Sequence, residues 1–126
     1  MAWDVEFTHE FERWWTELDE AVQDAIDRAV HLLEARGPAL PFPHSSDVHG
    51  SKHGNMRELR VQVSGDPYRI SYAFDPRRAA ILPIGGSKAG DDRFYERMIP
   101  IADRLYDEHL VGLEKEDGRK GDSGEK

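Results

Sequence analysis

Residues 56–74, MRELRVQVSGDPYRISYAF, read as two strands folded back on one another. Leu59, Val61 and Val63 alternate with Glu58, Arg60 and Gln62. After the turn residues Ser64-Gly65-Asp66-Pro67, Tyr68, Ile70, Tyr72 and Phe74 alternate with Arg69, Ser71 and Ala73. Successive side chains of a strand point to opposite faces, so this period of two assigns the apolar set to a buried face. Glu58, Arg60, Gln62 and Arg69 then point the other way. A hairpin makes Arg60 and Arg69 near neighbours across the ladder on an open face. Two guanidinium groups that close repel one another. Either Glu58 or solvent relieves the repulsion and the pair merely keeps the face soluble, or the pair is set to hold an anion.

On the N-terminal side, Ala2–Phe7 alternates Trp3, Val5 and Phe7 against polar neighbours, a further strand with one buried face. Thr8 is placed to cap a helix carrying Phe11, Trp14, Trp15 and Leu18, with Trp14 on the core side and Trp15 partly exposed. A second helix, capped at Asp19, carries Val22, Ile26, Ala29, Val30 and Leu33 on one face and stops at Gly37-Pro38. Residues 38–55 form a loop. On the C-terminal side, Asp75–Arg78 turns into a strand over Ala79–Ile84, where Pro83 implies a bulge or an early end. Residues 85–90 read as a flexible loop. The last helix begins near Asp91 or Asp92, with a kink or restart at Pro100.

The order β-α-α-β-β-β-α predicts an α+β domain over residues 1–113, with a helical hairpin and a C-terminal helix packed on one face of a small, mostly antiparallel sheet. Residues 114–126 hold no apolar anchor and read as a disordered polar tail.

With no cysteine, disulfides and thiolate metal sites are excluded. The acidic MAWDVEFTHE start does not resemble a leader, and no run approaches the roughly 20 apolar residues of a membrane span, so a cytoplasmic protein without membrane contact is expected. The net charge of −8 argues against nucleic acid as a partner, but its distribution does not. Residues 1–47 carry 3 basic and 11 acidic side chains, whereas residues 48–106 carry 10 basic and 7 acidic. Phosphate responds to the local field more than to the total charge, so the middle of the chain remains a candidate RNA surface.

Met56-Arg57-Glu58-Leu59-Arg60, Tyr68-Arg69-Ile70-Ser71-Tyr72, Gly85-Gly86-Ser87-Lys88 and Phe94-Tyr95 follow one another at spacings that resemble the phage-derived, HigB-like branch of the RelE/ParE toxins. The resemblance covers residues 1 to about 112. It implies a RelE-like fold and a ribosome-dependent endoribonuclease that cuts mRNA by attack of the ribose 2′-hydroxyl on its own phosphodiester. It also implies silencing by a helix-turn-helix, HigA-like antitoxin, and no cofactor. By position, Arg60, Arg69 and Lys88 match basic residues that stabilise the phosphate, and Tyr95 matches a tyrosine that stacks on a base or moves a proton. Arg57, Arg93 and His53 are the further RNA-contact candidates.

Three features depart from the pattern. The chain is acidic, where RelE-type toxins are usually basic. Glu58 stands where some relatives carry lysine, and is either a general base or a partner for Arg57 and Arg60. Tyr95 sits among Phe94, Met98 and Ile99, where a half-buried core tyrosine is the competing reading. Arg97 competes with Arg93 for the helix-borne arginine of relatives. His44, His49 and His53 lack carboxylate-supported ligand spacing, so no metal is expected. Two rival functions remain: a ParE-like inhibitor of DNA gyrase, and a decayed phage protein that only binds a partner.

Overall fold

The computed structural model describes residues 2–124, with side chains through residue 116. Strand β1 (Val5–Phe7) leads into helices α1 (His9–Thr16) and α2 (Glu20–Arg36), and a 3-10 turn at Gly37–Ala39 follows. Strands β2 (Ser45–Asp47), β3 (Arg57–Val63), β4 (Asp66–Phe74), β5 (Ala80–Leu82) and β6 (Gly85–Ser87) precede the long helix α3 (Phe94–Gly124). The sheet runs β1-β5-β4-β3-β2, with β6 pairing the first half of β4. Only the β1–β5 pair is parallel among these strands.

The hairpin register follows the sequence reading, with Leu59 opposite Ile70, Val61 opposite Tyr68 and Arg60 opposite Arg69. The apolar set packs under α1 and α2. Phe11, Val22, Ile26 and Leu33 close over Leu59, Val61, Ile70 and Tyr72 in the main core. Each such side chain contributes about 1.5–3 kcal/mol on burial, which fixes the strand faces, since a one-residue slip would turn all of them to the wrong side. Thr8 caps α1 by accepting from the Phe11 amide at 3.0 Å. Gly37, with φ of 57°, ends α2 in the left-handed region where glycine carries no penalty.

Several expectations need correction. The helices do not share one face. The hairpin covers one side of the sheet, and α3 covers the other, where Met56, Ala73, Ala79 and Ile81 pack on Ala102 and Tyr106. The face carrying Glu58 and Arg69 is therefore roofed. Two three-residue strands appear inside segments read as loops: β2 in residues 38–55 and β6 in residues 85–90. β1 spans only Val5–Phe7, and Phe7 is 56% exposed because the sheet ends there. β5 ends at Leu82, just before Pro83.

Helix α3 begins at Phe94 and runs past Pro100 without restarting. It also continues to Gly124, where a disordered tail was expected. Glu114, Lys115 and Glu116 are exposed, so these three residues extend the helix without packing on the domain. Residues 125 and 126 of that tail lie outside the described residues.

Candidate functional site

The site forms where the roof begins. The first turns of α3 lie over β3 and β4, and β6 runs alongside. Gly86 makes this approach possible, and Gly85 allows the matching approach of α1 from the other side. A Cβ on Gly85 would stand 2.5 Å from the Trp14 ring of the hairpin side, and one on Gly86 would stand 3.0 Å from the Phe94 ring and 3.2 Å from Met98. Gly86 is the register partner of Arg69. A side chain at Gly86 would push α3 off the sheet, and one at Gly85 would push Trp14 of α1 off the opposite face.

Glu58, 5% exposed, is the centre of the cluster. The Tyr95 hydroxyl lies 3.0 Å from each of its carboxylate oxygens, and Ser46 of β2 donates to one of them at 3.0 Å. Arg60 and Arg69 approach the same carboxylate at 3.8 and 3.9 Å. These are ion pairs without short hydrogen bonds, so their guanidinium donors are only partly committed. The Arg69 Nε is buried with no hydrogen-bond partner, while its other nitrogen donates to the Tyr68 carbonyl at 3.0 Å. Lys88 is anchored by its amide on the Pro67 carbonyl at 2.7 Å and carries its ammonium 5.3 Å from the centre of the Tyr95 ring. Three cations thus surround one carboxylate and one phenol.

Burial raises the Tyr95 pKa, and the Glu58 charge and hydrogen bond raise it further, while Arg69 acts in the opposite sense. Tyr95 consequently keeps its proton at neutral pH and serves as a donor. Beside the cluster, Pro43, His44, Arg60, Gln62 and Arg69 line a shallow depression of about 250 Å³.

Arg60, Arg69, Lys88 and Tyr95 are brought together as the sequence led us to expect, but Arg69 is not exposed. Only 8% of it reaches solvent, because α3 and β6 cover it. Arg57 is on the opposite face. Its guanidinium pairs with Asp47 and donates to Ser45 Oγ at 3.0 Å and the Tyr72 hydroxyl at 3.3 Å, so it neither joins the cluster nor partners Glu58. His53 is also elsewhere, bound to Asp107 at 2.8 Å and set edge-on to Tyr106. Asp107 is 12 residues beyond Tyr95, roughly 18 Å along the helix axis. Arg93 is exposed just before α3, whereas Arg97 is held by Asp91 at 3.1 Å. Among the described residues, no group of three histidine or acidic side chains converges as a metal site. Ser46 was missed because a three-residue strand of two serines and an aspartate has no alternation to read.

The family model described as "Phage derived protein Gp49-like" matches residues 13–107, three quarters of the chain and every member of the cluster. The chain belongs to this family. The chain is also similar to two Mycobacterium tuberculosis proteins named as candidate toxins. It is 44% identical to HigB3 over 101 residues, covering 79% of this chain and 87% of HigB3. It is 40% identical to HigB2 over 115 residues, covering 87% of this chain but only 57% of HigB2. The fold matches the E. coli toxin RelE, solved as a mutant in the free state, with a TM-score of 0.55 at 13% identity over 78% of this chain and 96% of that one. It also matches an archaeal RelE in complex with RelB from Pyrococcus horikoshii, with a TM-score of 0.53 at 13% identity over 71% of this chain and 99% of that one. These findings place this Gp49-like chain among the HigB-like proteins and give it a RelE-like fold.

Proposed function

We propose that this chain is the toxin of a toxin–antitoxin pair and cleaves mRNA on the ribosome. The observation that carries the reading is the Glu58–Tyr95 pair held beneath Arg60, Arg69 and Lys88. Attack by a ribose 2′-hydroxyl on the adjacent phosphorus forms a cyclic phosphate and expels the 5′-oxygen of the next nucleotide. The phosphate gains negative charge on the way, and a proton must leave the attacking oxygen. Preorganised guanidinium and ammonium groups in a partly dry site stabilise that charge. Glu58 is the carboxylate placed to accept the proton. Tyr95 orients Glu58 and donates, because its raised pKa makes it a poor base at neutral pH.

The acidic hairpin lies across the sheet from this cluster, so a net charge of −8 is compatible with an RNA-binding face. The names of the HigB relatives and the RelE–RelB complex support a cognate antitoxin, which we assign to a HigA-like helix-turn-helix protein, and cytoplasmic action follows from a ribosomal target. The test is induced expression in bacteria with primer extension on a reporter mRNA. Internal cuts within the reading frame that disappear with Glu58→Gln are expected. Arrested DNA supercoiling with intact mRNA would overturn the reading in favour of a gyrase inhibitor.

A further inference from the structure

Phe42 is the most exposed large apolar side chain of the described residues, with 68% of its surface in water, and nothing in the core accounts for it. It stands between Pro41 and Pro43 at the tip of a turn closed by the His44 and Ser45 amides, which both donate to the Pro41 carbonyl, at 3.0 and 3.1 Å. The turn is pinned at both ends. Leu40 is 2% exposed on one side, and on the other the His44 carbonyl accepts from the Arg60 amide at 2.9 Å. Proline limits the backbone further. The ring is therefore carried into solvent on a turn that is tied down at both ends.

Its position ties it to the cluster. The Arg60 guanidinium lies 5.0 Å from the centre of the Phe42 ring, and Arg60 faces Arg69 across the β3–β4 ladder. An exposed aromatic face next to cations that suit a phosphodiester is the combination single-stranded nucleic acid uses, because every base has a face to stack and the backbone carries the charge. A protein partner would be recognised by an apolar patch, whereas here a single exposed ring stands against the Arg60 guanidinium, beside a depression lined by Pro43, His44, Arg60, Val61, Gln62 and Arg69.

We infer that Phe42 is a stacking platform for a nucleobase of the RNA strand whose backbone lies over Arg60 and Arg69. The inference rests on the nuclease reading and adds a subsite to it. Arg60 has two roles in this arrangement: its charge meets phosphate, and its plane backs the Phe42 ring so that the base, the ring and the guanidinium form a stack.

The test uses purified chain with ribosomes programmed by an mRNA carrying 2-aminopurine at each position of the A-site codon and its neighbours in turn. Stacking on an aromatic ring quenches 2-aminopurine, so the wild type should quench one position. Phe42→Leu should lose that quench and weaken cleavage on subsaturating ribosomes by about 5- to 100-fold, while Phe42→Trp restores both. Because Phe42 is exposed, neither variant threatens the fold, and equal melting curves confirm it. Wild-type binding and cleavage with Phe42→Leu indistinguishable from wild type would overturn the platform and leave the nuclease standing. Failure of the wild type to bind or cut any mRNA would overturn the nuclease and the platform together. Loss of antitoxin binding by Phe42→Leu with unchanged quenching would overturn the platform in favour of a protein contact.

Discussion

The Tyr95 hydroxyl lies 3.0 Å from both carboxylate oxygens of Glu58, joining the first turn of α3 to strand β3. This forked contact is at once a structural tie and the centre of the proposed chemistry. A hydrogen bond to a charged acceptor contributes about 1.5–3 kcal/mol, so Tyr95→Phe should lower stability by about that much without unfolding the domain. Toxicity should fall as well. Urea denaturation alongside growth after induction checks both; unchanged growth arrest with the expected loss of stability would leave Tyr95 a structural residue only.

Arg69 needs a gentler substitution than its strand parity suggested. Because it is buried against Glu58, Arg69→Ala leaves a carboxylate short of a counter-ion and should cost about 3–5 kcal/mol, the scale of breaking a buried pair. Arg69→Lys keeps the charge but loses the planar fork. It should fold and slow cleavage by about 10²–10³-fold, as when one preorganised donor is removed. Single-turnover cleavage on programmed ribosomes, at matched soluble protein, gives the answer.

Arg77 is unsuitable as a neutral control, although it sits in a turn. It donates to Asp75 at 2.7 and 3.0 Å and to Glu6 at 2.9 Å, tying the β4–β5 turn to β1. Arg104, exposed and paired only with Glu108 one turn on, is the better choice among the described residues. Arg104→Ala should remain toxic and stable to within about 0.5 kcal/mol.

Acid stability should depend on Asp75. Burial raises its pKa, but hydrogen bonds from His109, Arg77 and the Ala79 amide outweigh burial and hold the carboxyl below its ordinary 3.8. A depressed folded-state pKa means that its contribution is complete above the unfolded value and is lost as pH falls below it. Melting temperature should therefore drop more steeply below about pH 4 in the wild type than in Asp75→Asn, which should start lower at neutral pH. Parallel curves from pH 3 to 7 would remove Asp75 from the account.

Truncation after Leu113 should leave the melting temperature within about a degree or two. Glu114–Glu116 extend α3 into solvent, and no apolar contact of the domain depends on them. A loss of many degrees would show that the extension packs.

Much of this was readable from residues 56–74 because a period of two leaves little freedom once one face is apolar. The register of Arg60 with Arg69 and their common face came from that alone. What escaped was the roof. Glu58, Arg69 and Ser71 made the second face look solvated, so α3 was assigned to the same side as the hairpin. The contrary signal was present in Met56, Ala73 and Ile81, apolar residues of that same parity that had to pack on something. β2 and β6 escaped for a different reason. Strands of serine, aspartate and glycine pair through backbone alone and leave no side-chain rhythm. Phe42 between its prolines drew no reading from the sequence, because its height above Arg60 depends on a turn that no local pattern announces.

The roof also has a consequence in time. Tyr95 and Lys88 follow β3 and β4 in the chain, and Tyr95 reaches Glu58 only once α3 has settled on the sheet. During synthesis, the carboxylate and both arginines leave the ribosome before the helix that completes them. On the proposed reading, a half-made chain is harmless to the machine that is making it, and the weapon is armed only when its lid closes.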